Sequence, residues 1–300
     1  MKKLAVILAL SIVLLGSASD ESPNIVLVLS SNNPRLAMVA GGFRQSFPGA
    51  FREINLEGSD KKLRDVGEEL KTSKPELVVV VGDQAAQMAK WYLENVPVVY
   101  CEAPLAAKTF QGSTNVVAIS HQSDPMDQLK ALQAVFPDKK RVGLFYGKKY
   151  ARIDSEKISK ESRQMGLTLR INALNSIEEL PTRLKEQTSE VDVIWVMIDP
   201  EVLCRFSIEY VVVQAISAGL PVFCGDVVLG ESGAAASLPP NPVDVGVKAA
   251  TEAKKILDKG PTRNGTAVYA KGDLTLNKRV AKILNLSFPA NLEKEARIIH

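Results

Sequence analysis

The stretch from Val191 to Leu238 constrains the fold more than any other. An apolar run, VIWVMI, stops at Asp199-Pro200. A helix-length segment with apolar residues on most faces follows and is closed by Gly219. Then come PVFC and the small-residue run GAAASL. A short apolar run, a helix-length segment and another short apolar run make a β-α-β unit. Neither run alternates with polar residues, as expected of parallel strands covered on both faces. Polar residues gather where the runs stop, at Asp199 and at Gly225-Asp226. Open α/β sheets bind ligands beyond the carboxyl ends of their strands. The unit therefore predicts a small-molecule site at its tips.

The same alternation fills the rest of the chain. IVLVLS reads as a strand that ends in the polar turn Ser30-Ser31-Asn32-Asn33-Pro34. A helix-like segment, 35–47, follows it. A second strand spans 51–56, and a helix capped by Gly58-Ser59-Asp60 carries Leu63, Val66 and Leu70 on one face. LVVVVG has Asp83-Gln84 at its tip, VPVVYC has Glu102, and NVVAIS ends at Ser120-His121. That is one doubly wound lobe. The pattern restarts at Asp124-Pro125, with a helix, a strand ending at Tyr146-Gly147, helix-like residues 151–165, strand LTLRIN and a helix over 176–187. After the opening stretch, Pro239-Pro240-Asn241-Pro242 is a rigid turn. Helices are expected at 243–257, 278–284 and 292–299, with short strands TAVYA and DLTLN between the first two. The reading is two similar Rossmann-like α/β lobes, split near residue 120, with the tail crossing between them again.

Residues 1–19 read as a signal peptide. Lys2 and Lys3 form the basic start, Leu4 to Leu15 the apolar stretch, and Gly16-Ser17-Ala18-Ser19 the cleavage region, with a cut after Ala18 or Ser19. The apolar stretch is short for a membrane span, and no later one reaches the length that spanning needs. No cysteine follows it closely, so a lipid anchor is not expected. The net charge of +3 includes Lys2 and Lys3, so the remaining chain is near neutral, which argues against nucleic acid or a membrane surface as partner. Two readings are open for Cys101, Cys204 and Cys224: a Cys204–Cys224 pair in an oxidising compartment, or three buried free thiols. Phosphate-loop and dinucleotide fingerprints are absent. Gly230-Glu231-Ser232-Gly233 lacks nucleophile-elbow spacing and reads as a turn. Only His121 and the terminal His300 are histidines, so metal binding or a catalytic triad would rest on His121.

A resemblance is carried by PELVVVVGDQAAQMA, NVPVVYCEAP, GSTNVVAIS with DPMDQLKAL, RVGLFYG, VDVIWVMIDPEV, GLPVFCGDVVLGESGAAASLPPNPVDVGVKAATEAKKIL and LTLNKRVAKILNLSFPANLEKEARII. In order and spacing these segments resemble the substrate-binding proteins of ABC transporters, with a type I periplasmic-binding-protein fold, over nearly all of residues 24–299. The resemblance implies a first lobe of residues 24–119 plus about 240–269 and a second of 120–239 plus about 270–300, with a ligand cleft between them. It implies a monomeric, periplasmic protein that captures a small solute, such as an amino acid, and delivers it to an ABC permease, without catalysis, cofactor or metal. The alternative is a sensory protein that reports the solute to a membrane receptor or kinase. Relatives often carry Thr-Pro-Ala where this chain has Asp83-Gln84-Ala85, and Gly-Val-Ser where it has Ala118-Ile119-Ser120, so no ligand is carried over.

The candidate ligand-binding residues at strand tips are Ser30, Ser31, Asn32, Asp83, Gln84, Glu102, Ser120, His121, Tyr146, Tyr150, Asp199 and Asp226. An ammonium group would want one or two of Asp83, Glu102, Asp199 and Asp226. A carboxylate would want backbone N–H groups at helix starts after Ser31 or Gln84. Asp83 and Asp199 have a structural reading beside this one, as helix caps. Tyr146 divides between cleft and packing, and Trp195 reads as core.

Overall fold

Ile25–Leu29 (β1) and Leu77–Val81 (β3) are runs of Val, Leu and Ile with every residue buried. Successive strand side chains point to opposite faces. Leu27, Leu29, Val79 and Val81 therefore enter one core layer, and Val26, Val28, Val78 and Val80 enter the other. A strand with two buried faces belongs inside a sheet covered on both sides. The computed structural model has that arrangement twice. It describes residues 24–150, 153–260 and 267–300, so the signal peptide read at residues 1–19 lies outside the described residues.

The first sheet has five parallel strands in the order β2 (Arg52–Asn55), β1, β3, β4 (Val98–Cys101), β5 (Val116–Ala118). Helices α1 (Pro34–Ser46) and α10 (Pro242–Lys259) cover one face through Val39, Phe43, Val245 and Ala249. On the other face lie α2 (Asp60–Ser73), α3 (Asp83–Tyr92) and the short α4 (Ala106–Thr109).

The second sheet has seven strands in the order β12 (Arg297–Ile299), β11 (Thr275–Asn277), β10 (Ala236–Ser237), β9 (Val222–Cys224), β8 (Val193–Met197), β6 (Arg141–Gly147), β7 (Thr168–Leu174). Only the β10–β11 pair is antiparallel. One face carries α5 (Pro125–Val135), α6 (Ser155–Gln164) and α11 (Lys278–Ile283); the other carries α7 (Leu180–Gln187), α8 (Arg205–Ser217) and α9 (Val227–Ser232). The order β7-β6-β8-β9-β10 repeats β2-β1-β3-β4-β5, so each lobe reverses strand order between its first and third strands. Such reversals place a crevice at the strand tips.

Polar residues followed by proline start three of these helices. Asn33, Asp124 and Asn241 accept the N–H of Arg35, Met126 and Asp244 at 2.8, 2.7 and 2.9 Å, with Pro34, Pro125 and Pro242 in the first helical turn. The side chain satisfies an orphan helix donor, and proline loses nothing where no N–H bond is needed.

Three segments carry the chain between the lobes. At the first, Ser120 N–H donates to Val268 O at 2.8 Å and Val268 N–H to Ala118 O at 3.0 Å. At the second and third, Pro240 bridges Gly272 and Asn241 N–H donates to Lys271 O at 2.7 Å. The crossings are thus paired with one another. Ser123 Oγ also donates to Leu238 O at 2.6 Å.

Two local expectations give way to tertiary structure, and one open reading is decided. The helix expected over 292–299 is α12 (Ala290–Glu295) followed by β12. Arg297 N–H bonds Leu274 O at 2.9 Å, so the β-branched Ile298-Ile299 end pairs with β11 rather than winding on. The turn read at Gly230–Gly233 lies within and just after α9, where the Asp226 carboxylate accepts Leu229 N–H at 3.4 Å and Leu229 is buried. The cysteines are all free: Cys101 and Cys224 are buried, and Cys204 is half-buried ahead of α8.

Candidate functional site

Tips of both sheets meet the crossings around a partly open cavity of about 60 Å³. That is several times the roughly 10–15 Å³ that one water needs. Tyr100, Ala103, Ala107 and Ala118 form the first-lobe wall. Gly147, Tyr150, Met197, Ile198, Asp199 and Pro200 form the second-lobe wall. Ile119, Ser120, His121, Gln122, Ala267 and Tyr269 line it from the crossings. Of the residues expected from sequence, Ser120, His121, Tyr150 and Asp199 come together here.

The other expected residues lie off the lining, and most have structural partners. Ser30 is buried, and its Oγ accepts Ala85 N–H at 2.9 Å; α3 begins after Gly82, which has no side chain to cap it. Ser31 is half-buried in the same turn. Asn32 accepts from Asn55 Nδ2 at 2.8 Å. Gln84 Nε2 donates to Asp60 at 3.3 Å. Tyr146 is packed into the core of the second lobe.

All four carboxylates that could have met an ammonium group are engaged. Asp83 accepts Leu105 N–H at 2.9 Å, and burial raises its pKa while that bond opposes the rise. Glu102, held at φ +48°, takes both Nε and Nη2 of Arg35 at 2.8 Å, and the same Nη2 donates to Pro240 O at 2.7 Å. Asp199 accepts N–H groups from Glu201, Val202 and Leu203 at 2.9, 2.8 and 3.0 Å. It holds its own loop, and a Cβ at position 147 would overlap its carboxylate, so glycine is required there. Asp226 binds Leu229 N–H and is buried.

At the mouth, an ion cluster spans the two lobes. Lys108 on α4 reaches Glu201 of the second lobe at 3.4 Å; Lys149 Nζ lies 3.2 Å from the same carboxylate, and Tyr150 OH donates to it at 3.0 Å. Those bonds, the tyrosine's first, hold the Glu201 carboxyl below its usual range.

His121 Nε2 is fully enclosed and has no hydrogen-bond partner among the described residues. Burial pushes the imidazole below its ordinary 6.5, against the opposing pull of Glu102 and Asp199. It is neutral at pH 7. In the unfolded chain it would protonate first as pH falls, so stability is lost from about 6.5 downward. The expected result is a wild-type urea midpoint that declines between about pH 7.5 and 5.5, and a shallower decline in His121→Gln. Parallel pH curves would refute a buried neutral imidazole.

Sequence reasoning missed Tyr100, Ala103, Ala107, Gly147 and Tyr269. Tyr100 lay inside an apolar strand run and the alanines in an unremarkable loop, so only the approach of the second lobe marks them.

The family profile described as ABC transporter substrate binding protein matches residues 49–299. Three solved structures are similar over nearly the whole chain. The ABC domain in complex with L-Trp from Streptococcus pneumoniae is 23% identical, covers 92% of this chain and 100% of its own, and has a TM-score of 0.58. A conserved domain protein from Vibrio cholerae is 21% identical, with 93% and 100% covered and a TM-score of 0.58. The ligand-free, open form of a substrate-binding protein with adhesive properties from Clostridium difficile is 18% identical, with 92% and 99% covered and a TM-score of 0.60. These likenesses show the fold. A search of curated proteins gave no match. No helix among the described residues is long and apolar enough to cross a membrane. The profile spans most of the chain and describes binding proteins rather than enzymes: the chain belongs to the ABC transporter substrate-binding protein family.

Proposed function

We propose that this chain is an exported, periplasmic solute-binding protein of an ABC importer, which captures a small solute between its lobes and hands it to a membrane permease. The observation that carries the reading is the cavity: both lobes and the crossings supply its walls, so a change in the angle between the lobes opens it. The paired crossings supply the axis for that motion, and the Lys108–Glu201 contact would break as the lobes part. Capture by lobe closure needs binding energy but no reacting groups, which fits a cavity whose lining includes four alanines and three tyrosines.

A thermal-shift screen of the mature chain against amino acids, sugars and small organic anions tests this. L-Trp belongs in it because the streptococcal relative holds that molecule. A true ligand at a hundredfold excess over its Kd adds about 2.7 kcal/mol of apparent stability. A screen in which nothing raises the melting temperature defeats the reading. With a ligand in hand, stimulation of ATP hydrolysis by the reconstituted permease is the expected result for delivery. Stimulation of a receptor kinase instead would favour sensing.

A further inference from the structure

We propose, on the basis of the solute-capture reading above, that the cavity takes an uncharged hydrogen-bonding solute, such as an amide or a polyol, anchored on Nε2 of His121. His121 lines the cavity, and its Nε2 is covered and left without a hydrogen-bond partner among the described residues. An unmade buried hydrogen bond is costly, so such an atom calls for a ligand or bound water.

The neighbouring charged groups offer an ion little. Asp199 spends its carboxylate on three backbone N–H groups, and Glu102 is clamped by Arg35. Gln122 turns both ends of its amide onto Ile198, donating to the carbonyl at 2.7 Å and accepting from the N–H at 3.2 Å. Lys108 and Lys149 face Glu201 at the mouth. The N–H of Ala85, at the start of α3, is taken by Ser30. A carboxylate entering here would lose its hydration and face the Asp199 anion, and an ammonium would have to share carboxylate oxygens already bonded to the loop's own N–H groups, costs that an uncharged solute does not bear. Burial keeps the imidazole uncharged despite Glu102 and Asp199, so it meets the solute as a neutral donor or acceptor.

The test uses matched probes on one carbon skeleton: isobutyramide, isobutyrate and isobutylamine, then benzamide, benzoate and benzylamine, with free sugars and zwitterionic amino acids alongside. Affinity is read by calorimetry on wild type, His121→Leu and His121→Gln. Binding is also followed through the imidazole C–H resonances, which are few because the chain has 2 histidines. Expected are tightest binding by uncharged probes, a shifted His121 signal with His300 unmoved, and about a tenfold loss in His121→Leu that His121→Gln largely restores, the size of one neutral hydrogen bond. Tighter binding of an ion or zwitterion with an unmoved His121 signal overturns this inference and leaves solute capture standing. No binding by any class of probe overturns solute capture itself, and this inference with it.

Discussion

Replacing Trp195 with alanine is expected to lower unfolding stability by about 3–5 kcal/mol, the range for deleting a large aromatic side chain from a packed core. Trp195 is wholly buried on β8, between Leu144 of β6 and Phe223 of β9 in register. Its Nε1 donates to Gln128 Oε1 at 2.9 Å, and Gln128 Nε2 donates to Ser123 O at 2.8 Å. Alanine would leave a cavity and strand a buried amide oxygen. Trp195→Phe keeps most of the volume and strands only the oxygen, so its cost should be about 1–3 kcal/mol. Urea unfolding followed by circular dichroism checks both. Equal costs in the two variants would show that the hydrogen bond, not the ring, carries the effect. Because Ser123 also holds Leu238 O between two crossings, the alanine variant should in addition loosen the hinge. Faster proteolysis near residues 119–124 would report that.

Gly246→Leu is expected to cost more than about 3 kcal/mol, at the upper end of overpacking, because backbone stands in the way. Helices α1 and α10 touch main chain to main chain. A Cβ at Gly246 would overlap Val39 O and Phe43 N, and one at Gly42 would overlap Val243 O. Flexible side chains can swing aside; these atoms cannot move without shifting a helix. Gly112→Ala makes a useful control. Its added Cβ meets nothing, and φ of +80° costs a non-glycine residue about 1–2 kcal/mol. A denaturation midpoint for Gly246→Leu no lower than that of Gly112→Ala would refute the close-packing argument. Since α10 starts at the crossing where Arg35 holds Pro240 O, displacing it should also weaken solute binding.

Much of the architecture was legible because strands buried on both faces leave a strong mark. LVVVV and VIWVM cannot be mistaken for half-exposed strands, and the polar-proline pairs announce α1, α5 and α10. The weak points were short elements. Nothing local separates α9 from a turn, or the end at Arg297–Ile299 from a helix; in both, contacts distant in sequence decide. The candidate site was legible only in part, for the same reason. A carboxylate at a strand tip looks alike in sequence whether it awaits a ligand or holds its own loop. Asp199 closes on backbone N–H groups two to four residues away, and Glu102 on an arginine 67 positions earlier.

Sequence alone determined the doubled alternation of strand and helix and the point near residue 120 where it restarts, and it pointed to the strand tips as candidates for a site, since these follow from periodicity and burial along the chain. Val191 to Leu238 supplies the three expected strands and the expected helix α8 of the second lobe, with α9 in addition. Tertiary structure decided which tip residues share a cavity and which are already bonded to partners within the fold. That choice rests on distances between lobes, and no local pattern encodes a contact made across a cleft.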